Sequence, residues 1–177
     1  MSTIYNLDSA NLFTGDDDPT KSEFLVIESI KFPTLEESTK EFKPGGGVMS
    51  IDLAMKSLKS LTLGFKLFGL QPRVMGKFMK ETKDHYTIRG NLYDVKTQEN
   101  LKVVGVVFGK MVKADMGEFK KEDGVSTDYE IKEVTKYKLH VAGDEKYYFD
   151  FFAGPGGVRV NGQKIFKQAA RNLGLAV

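Results

Sequence analysis

Alternation of apolar and polar residues runs through much of the chain and predicts a protein built mainly from β-strands. In segment 58–68 every second residue is apolar and the residues between them are small or polar (Leu61, Leu63, Phe65 and Leu67 against Ser60, Thr62, Gly64 and Lys66). A period of two places one face of a strand in the core and the other in water. The same period predicts strands over 86–92 and 128–141.

Segment 101–114 differs from these because it is apolar on both faces, around Gly105 and Gly109. In a sheet this pattern indicates a strand that is covered on both sides or that lies at a subunit contact. We therefore expect 101–114 to lie inside the sheet or in a joint between copies of the chain.

Shorter strands and two short helices complete the predicted elements. The strands are expected at three places, 24–32, 48–55 and 147–152. One helix is predicted to begin at Pro72, since proline suits the first turn of a helix. A second, over 165–173, ends at Gly174. The sum is an antiparallel β-sandwich or barrel with one external short helix and a short C-terminal helix.

Two segments lack a regular period. The first 22 residues are loop-like and are expected to form an N-terminal arm. Residues 34–50 are mostly polar and contain a proline followed by three glycines at 44–47, which predicts a long flexible loop. We expect one domain over 1–177, with the arm at 1–22 and the extended loop at 34–50.

Composition excludes several function classes. The 177 residues include no cysteine, which excludes disulfides, thiolate metal sites and cysteine nucleophiles. The net charge of +2 is far from the strongly basic balance of a protein that grips nucleic acid. Residues 1–60 carry more acidic than basic side chains, and 61–177 the reverse. This asymmetry suits head-to-tail contacts between copies, and it also fits ordinary surface variation.

Membrane insertion and export are not indicated. No stretch approaches the ~18 consecutive apolar residues that a membrane span needs. The N-terminal segment 1–8 lacks the basic and then apolar pattern of a signal peptide. We expect synthesis in the cytoplasm and no membrane insertion by this chain.

Candidate chemistry is sparse along the whole sequence. His85 and His140 fall on polar faces of predicted strands, whereas a zinc site needs three or four clustered ligands. The aspartates at 16–18 lack the glycine and distant glutamate of a calcium loop, so a solvated loop tip explains them better. Glycine-rich segments 45–47 and 154–157 lack the features of phosphate-binding loops. No Gly-x-Ser-x-Gly motif occurs. We predict no enzyme activity, no cofactor and no metal site.

A basic strand with aromatic residues raises the question of single-stranded nucleic acid, which binds by stacking on such residues. Tyr129 and Tyr137 share segment 128–141 with lysines such as Lys132 and Lys136. Alternation places the tyrosines and the lysines on opposite faces of the strand. The tyrosines are therefore predicted to belong to the core.

Several short motifs occur in the order and spacing of a known family. Residues 29–120 contain Ser29-Ile30-Lys31-Phe32-Pro33-Thr34-Leu35, Gly45-Gly46-Gly47-Val48-Met49-Ser50-Ile51-Asp52-Leu53, Phe68-Gly69-Leu70, Gly109-Lys110 and Asp115-x-Gly117-x-x-Lys120. The second half contains Tyr137-Lys138-Leu139-x-Val141, Tyr148-x-Asp150, Val160-Asn161-Gly162 and Arg171-Asn172-Leu173-Gly174-Leu175. Over most of its length the chain thus resembles the major tail tube proteins of contractile-tailed bacteriophages, which are related to R-type pyocin and type VI secretion tubes.

The resemblance implies a structural virion protein. In that family, six copies join their sheets into a ring-shaped inner β-barrel, and the rings stack helically into a tube that conducts DNA during ejection. Implied partners are further copies of the chain, the contractile tail sheath protein, the tape-measure protein, baseplate and tail terminator proteins, and DNA without sequence specificity. The Ala176-Val177 extension, an apparent insertion at 153–157 and the slightly basic balance depart from the family pattern, in which lumens tend to be acidic.

Assembly contacts are expected in three regions. The extended loop is expected to contact the next ring through Thr39, Phe42, Lys43, Gly45, Gly46, Gly47 and Met49. The sheet wall between subunits is expected to include Val103, Gly105, Val107, Gly109, Lys132, Val134 and Lys136. The N-terminal arm is expected to make contacts through Leu12 and Phe13. Phe42 is the apolar centre of the loop contact, unless it packs against its own strand.

Lysines of segment 128–141 bear on the charge of the bore. If Lys132, Lys136 and Lys138 lined it they would retain DNA, because each neutralised phosphate adds affinity. We therefore expect either compensation by Asp128 and Glu130 or an outward orientation of these lysines.

Two alternatives remain open at this point. The chain could form the tube of a pyocin-like or secretion-type contractile particle rather than of a phage. It could instead be a lipocalin-like binder of small ligands, which would need an apolar cavity inside a closed single-chain barrel.

Overall fold

The computed structural model describes residues 2–15 and 18–175. The strands are β1 (Tyr5–Thr14), β2 (Ile27–Lys31), β3 (Glu37–Phe42), β4 (Ile51–Leu58), β5 (Leu63–Phe68), β6 (Asp84–Asp94), β7 (Asn100–Asp115), β8 (Ser126–Val141), β9 (Asp144–Asp150), β10 (Val158–Val160) and β11 (Gln163–Lys164). Two short helices, α1 (Pro72–Met75) and α2 (Lys167–Asn172), accompany them. The predicted loop tip at 16–17 and the extension at 176–177 lie outside the described residues.

Nine of these strands form one antiparallel sheet, in the order β1-β6-β7-β8-β9-β10-β11 with a branch through β5 and β2. The branch point is β8. Along one edge β8 pairs with β7; along the other it pairs first with β5, up to Ile131, and then with β9, from Lys136 onward. The prediction of a mainly antiparallel β-protein with two short helices is confirmed.

The core joins both branches of the sheet. One cluster contains Leu12 of β1, Tyr86 and Ile88 of β6, Val107 and Met111 of β7, Tyr129, Ile131 and Tyr137 of β8, Leu63, Phe65 and Leu67 of β5, and Val74 of α1. The ring of Phe65 stacks on Tyr129 with centroids 5.1 Å apart. Because β5 and α1 share their core with β1 and β6, the sheet wraps around a single interior, as in a sandwich or partly open barrel.

Alternation predicted the buried faces correctly in the long strands. In β5 the predicted apolar residues are buried, and the predicted core tyrosines of β8, Tyr129 and Tyr137, are each 1% exposed. Leu139 and Val141, predicted on the same face of β8, are only half-buried. The two segments that lack a regular period, 1–22 and 34–50, were predicted as an arm and a loop, but both contain strands.

The first 22 residues are not loop-like, because Tyr5–Thr14 forms β1 along the edge of β6. The register shifts between Leu7 and Ser9, where β1 has one extra residue. This bulge places Leu7 and Leu12, which differ in sequence parity, on the same side of the strand, and so hides the period of two. The prediction that this segment is loop-like was wrong for that reason.

The loop predicted at 34–50 is largely a β-hairpin, with β3 paired to β4. Its strands carry few apolar residues in β3 and bury almost none of their side chains in the subunit. Periodicity detects strands that have a core to face, so it missed β3 and placed β4 three residues early, at 48–55. The next strand was predicted to begin at residue 58, but β5 begins at Leu63. Residues 59–62 instead form the connection between the hairpin and β5.

Candidate assembly interface

Strands β3 and β4 form a hairpin that, within the described part of the chain, joins no strand of the main sheet. One of its faces is mostly apolar: Phe42 pairs with Ile51, and Leu53, two residues further along β4 on the same face, pairs with Lys40. These three side chains are 50%, 48% and 42% exposed. A hairpin of two strands is at best marginally stable alone in water. An exposed apolar face of this kind is typical of a protein–protein contact.

The other face of the hairpin is polar. Glu41 lies directly opposite Asp52 in the ladder, and Thr39 lies opposite Ala54. Like charges directly opposite one another destabilise a pair of strands. A cation brought from outside the hairpin would therefore stabilise it.

The root of the hairpin is tied to its own chain. The backbone N–H of Lys56 donates to Oε1 of Glu37 over 2.7 Å, and the backbone N–H of Lys59 donates to the carbonyl oxygen of Glu36 over 2.9 Å. The side chains of Lys59 and Glu36 also form an ion pair. Lys56 adopts a positive φ of 52° at a bulge of β4. These contacts set the direction in which the hairpin leaves the subunit.

The residues predicted to contact the next ring all lie on this hairpin. Thr39 and Phe42 belong to β3, and Lys43, Gly45, Gly46, Gly47 and Met49 lie in the turn between the strands. All seven are exposed. The turn is closed by a hydrogen bond from the Gly47 N–H to the Pro44 carbonyl oxygen over 3.1 Å. The structure thus brings these residues together at one tip, and their contact with another ring stays a prediction.

The wall residues predicted in β7 lie on its buried face (Val103, Gly105, Val107 and Gly109). They face the core of their own subunit. The opposite face carries Val104, Val106 and Phe108, which are only half-buried. The ring of Phe108 packs against His85, with centroids 4.5 Å apart. This outer face, rather than the predicted residues, is the part of β7 that another molecule can reach.

The wall residues predicted in β8 lie at or beside an irregularity of that strand. Lys132 is exposed and forms an ion pair with Glu130, with Nζ 3.6 Å from a carboxylate oxygen. Val134 packs against the core. The compensation expected from Glu130 is therefore present, whereas Asp128 lies opposite Asp115 in the ladder with β7.

Lys136 pairs with Asp150 rather than with either predicted carboxylate, with Nζ 3.2 Å from Oδ2. Desolvation raises the pKa of Asp150, but the hydrogen bond and charge of Lys136 and the Phe152 N–H outweigh it and hold that pKa below its usual value. Lys138 lies over the ring of Tyr148, 5.5 Å from its centroid. The cations on this face are thus largely engaged at short range.

The predicted arm residues Leu12 and Phe13 are 0% and 9% exposed, so both pack within the subunit. The exposed apolar side chains of this region come earlier, at the start of β1 and just before it (Ile4, Tyr5 and Leu7). Among the described residues, the Tyr5–Asn11 part of β1 pairs with β6 alone, which leaves its second edge open. Open edges are templates for pairing with another strand.

A groove of about 900 Å³ opens where β5 has left β8 and β9 has not yet joined it. Val134 of β8 lines it, together with Leu58 at the hairpin root and Phe151 and Phe152 after β9. Phe151 and Phe152 are 75% and 80% exposed. This site was not predicted from the sequence. Two successive phenylalanines at a strand end could have signalled it, because neighbouring residues of a strand point to opposite faces.

Other candidate chemistry is limited. Among residues 2–15 and 18–175, no group of three or more histidine, cysteine, aspartate or glutamate side chains is placed to hold a metal ion. None of the helices in this part of the chain is long and apolar enough to cross a membrane. Burial raises the pKa of Tyr137 to about 12, so its hydroxyl stays neutral inside the core.

Two solved structures share the fold. One is a chain in the cryo-EM structure of an extracellular contractile injection system, the PVC sheath/tube terminator in its extended state. It aligns with a TM-score of 0.52 and 14% identity over 76% of this chain and 95% of the other. The second is a chain in the cryo-EM structure of the anti-feeding prophage baseplate, six-fold symmetrised. It aligns with a TM-score of 0.51 and 15% identity over 80% of this chain and 99% of the other. No curated protein sequence matches the chain.

A family model gives the assignment. The model described as phage tail tube protein FII matches residues 6–174, which is nearly the whole chain. Tail tube proteins are structural proteins and not enzymes, in agreement with the prediction from the sequence. The chain belongs to the phage tail tube protein FII family.

Proposed function

We propose that the chain is the subunit of the inner tail tube of a contractile phage tail. In this proposal six copies close a ring, rings stack helically, and the bore conducts DNA during ejection. The observation that carries it is the projecting hairpin β3–β4, whose apolar face is exposed and joins no strand of the subunit. Burying this face in a contact between two copies removes apolar surface from water and therefore favours assembly.

Ring closure is supported by the open edge of β1. Pairing the Tyr5–Asn11 edge with a strand of the neighbouring subunit would satisfy its backbone groups and extend the main sheet across the joint. Closing a sheet on itself in this way removes its edges. In this arrangement β7 and β8 lie inside the wall, and Ile4, Tyr5 and Leu7 carry the arm contact in place of Leu12 and Phe13.

Short-range pairing of cations supports a bore that does not grip DNA. Lys136 pairs with Asp150, and Arg159 donates two hydrogen bonds to Glu145, over 2.7 and 2.8 Å. A lysine or arginine already paired with a carboxylate neutralises fewer phosphates, so affinity for DNA stays low. The outer face of β6–β9 can therefore line the bore even though the chain is slightly basic.

The two similar solved structures support a second candidate. One comes from an extracellular contractile injection system and the other from an anti-feeding prophage, so this chain can also be the tube subunit of a pyocin-like or secretion-type particle that ejects no genome. Nuclease-protected DNA in purified particles distinguishes the two. A ligand-binding barrel is disfavoured, because Tyr86, Tyr129 and Tyr137 fill the interior that a ligand would need.

The remaining features follow from the tube. We place the protein in the virion tail after synthesis in the host cytoplasm, as one domain over 1–177. Its partners are the sheath protein outside, the tape-measure protein inside during assembly, and terminator and baseplate proteins at the two ends. The similarity to chains of a terminator and of a baseplate structure supports the last two.

Sedimentation velocity and negative-stain electron microscopy of the purified full chain test the proposal. Sixfold rings and hollow stacks are expected at micromolar concentrations. A monodisperse monomer over the whole concentration range, without rings or tubes, would overturn it.

A further inference from the structure

The turn between β10 and β11 consists of Asn161 and Gly162, the only Asn-Gly pair in the sequence. Both residues have a positive φ, 50° and 72°, as a two-residue type I′ turn requires. Asparagine and glycine tolerate this conformation better than other residues, which explains their place in the turn. The same pair also sets a side-chain amide next to a backbone nitrogen that can react with it.

The reaction is the spontaneous loss of the asparagine amide. The Gly162 nitrogen loses its proton and bonds to Cγ of Asn161, while the side-chain nitrogen takes up a proton and leaves as ammonia. Water then opens the resulting succinimide ring at either carbonyl and yields aspartate or isoaspartate. Glycine favours the attack because no side chain obstructs its nitrogen. The other five asparagines all precede leucine, whose branched side chain does obstruct it (Asn6, Asn11, Asn91, Asn100 and Asn172).

The fold leaves both reacting groups of the turn accessible. Within the described part of the chain, neither the side-chain amide of Asn161 nor the N–H of Gly162 makes a hydrogen bond. Both residues are exposed, and a Cβ at Gly162 would meet no atom within 4 Å, so water reaches the turn. The backbone N–H of Asn161 donates to the carbonyl oxygen of Lys146 over 2.9 Å, which does not engage either reacting group.

The hairpin is also short enough to open. The attack requires the backbone at Asn161 to rotate out of the turn conformation. β11 pairs with β10 through two residue pairs, Arg159–Lys164 and Val160–Gln163, and pairs with no other described strand. Two-stranded hairpins are marginally stable alone, and such elements open locally at a small cost in free energy. The rotation is therefore accessible without unfolding of the core.

Asp123-Gly124 offers the same chemistry in a protected setting. Aspartate reaches isoaspartate through the same succinimide, with water as the leaving group. The Gly124 N–H, however, donates to the carbonyl oxygen of Lys120 over 2.7 Å. The ring of Phe68 also lies against this glycine, 3.1 Å from where a Cβ would be. The nitrogen that would attack is thus held by the fold at this site, unlike the nitrogen of Gly162.

We propose that Asn161 is a site of spontaneous covalent modification in the folded subunit, where attack by the Gly162 nitrogen converts it to aspartate and isoaspartate. Each conversion adds one negative charge. Isoaspartate also adds one atom to the main chain of a turn whose length fixes the register of β10 with β11. The modification therefore loosens this edge of the main sheet, where α2 follows β11.

Peptide mapping of the full chain, incubated either folded or in urea in a mildly alkaline buffer, tests the site. In the folded chain, the tryptic peptide 160–164 should gain a carboxylate at Asn161 at least tenfold faster than any Asn-Leu site. Unfolding should accelerate isoaspartate formation at Asp123 at least tenfold more than it accelerates conversion of Asn161. Conversion of Asn161 no faster than at the Asn-Leu sites, or equal acceleration of both glycine sites, would overturn the proposal.

Two variants separate the mechanism from its consequence. Gly162→Ala places a methyl group in open space and should slow conversion of Asn161 at least tenfold, with unchanged circular dichroism. An unchanged rate would mean that the Gly162 nitrogen is not the attacking group. Asn161→Asp carries the new charge without the extra main-chain atom. Amide hydrogen exchange over 158–165 should be faster in aged wild type than in fresh Asn161→Asp, and equal exchange would overturn the loosening of the hairpin.

Discussion

Gly109 of β7 lies so close to the backbone of Lys132 in β8 that position 109 has no room for a side chain. A Cβ at position 109 would lie 2.9 Å from the carbonyl oxygen of Lys132. The cause is the register: between the pairs Phe108–Lys136 and Lys110–Lys132, β7 has one residue and β8 has three. The extra residues of β8 crowd over Gly109. They also form the floor of the groove, so the same irregularity shapes the fold and the candidate site.

Gly109→Ala is expected to destabilise the subunit by about 1–3 kcal/mol, the usual cost of overpacking a filled core. The added methyl group meets backbone, which cannot turn aside. Urea unfolding followed by circular dichroism measures the loss. Gly64→Ala in β5 is the matched control, because its Cβ would have ordinary contacts from 3.6 Å. Equal stability of the two variants would contradict the crowding.

A buried carboxylate on the segment between β1 and β2 holds helix α1 in place. Glu23 is 5% exposed and accepts hydrogen bonds from Thr14 Oγ1, over 3.1 Å, and from the guanidinium of Arg73. Arg73→Ala removes the charged partner, so we expect the free energy of unfolding to fall by about 1–3 kcal/mol. Lys121→Ala, at an exposed loop position, serves as the control. A loss no larger than that of the control would show that water replaces Arg73.

Acid should weaken the contact between the α1 region and β6. Desolvation raises the pKa of Asp84, but Lys77 and Lys80 outweigh it, and the pKa falls below its ordinary value of 3.8. A carboxyl whose pKa is lower in the folded state contributes stability above its unfolded pKa and loses it as pH falls through its folded pKa. Unfolding free energy measured between pH 6 and 2 should therefore fall less steeply for Asp84→Asn than for wild type. Parallel pH profiles would refute this role.

The two faces of the hairpin should respond differently to the same charge. Ile51→Lys places an ammonium opposite Phe42 on the apolar face, whereas Ala54→Lys places it on the polar face, beside Glu41 and Asp52. We expect the first to raise the assembly concentration by tenfold or more and the second to leave it within about twofold. Light scattering against concentration measures both, and thermal unfolding of the dissociated subunits checks that neither variant loses its fold. Equal inhibition by both would mean that the apolar face is not the contact.

The sequence predicted the elements that have a core to face. β5 and β8 follow a period of two because one face of each packs on the core. The sequence of β7 is apolar on both faces, and only the structure shows that one face is buried and the other half-buried. Prediction from the sequence failed where a strand has no face buried against the core, or where a bulge interrupts the alternation. The bulge between Leu7 and Ser9 breaks the period of β1, and hairpin β3–β4 buries little within the subunit.

In the candidate site, too, one part could be predicted from the sequence and the other could not. The tip residues from Thr39 to Met49 are exposed together, because glycine and proline at 44–47 favour a turn. The groove was out of reach of the sequence, because it depends on where β5 leaves β8 and where β9 joins it. Pairing partners of distant strands are a property of the folded sheet, and local patterns do not encode them.

Cryo-electron microscopy of the stack formed by the full chain tests the central claim most directly. The account predicts sixfold rings in which the main sheet continues across each joint and the face bearing Phe42, Ile51 and Leu53 is buried against the next ring. Rings whose hairpins remain in solvent, or a protein that stays monomeric at every concentration, would contradict it.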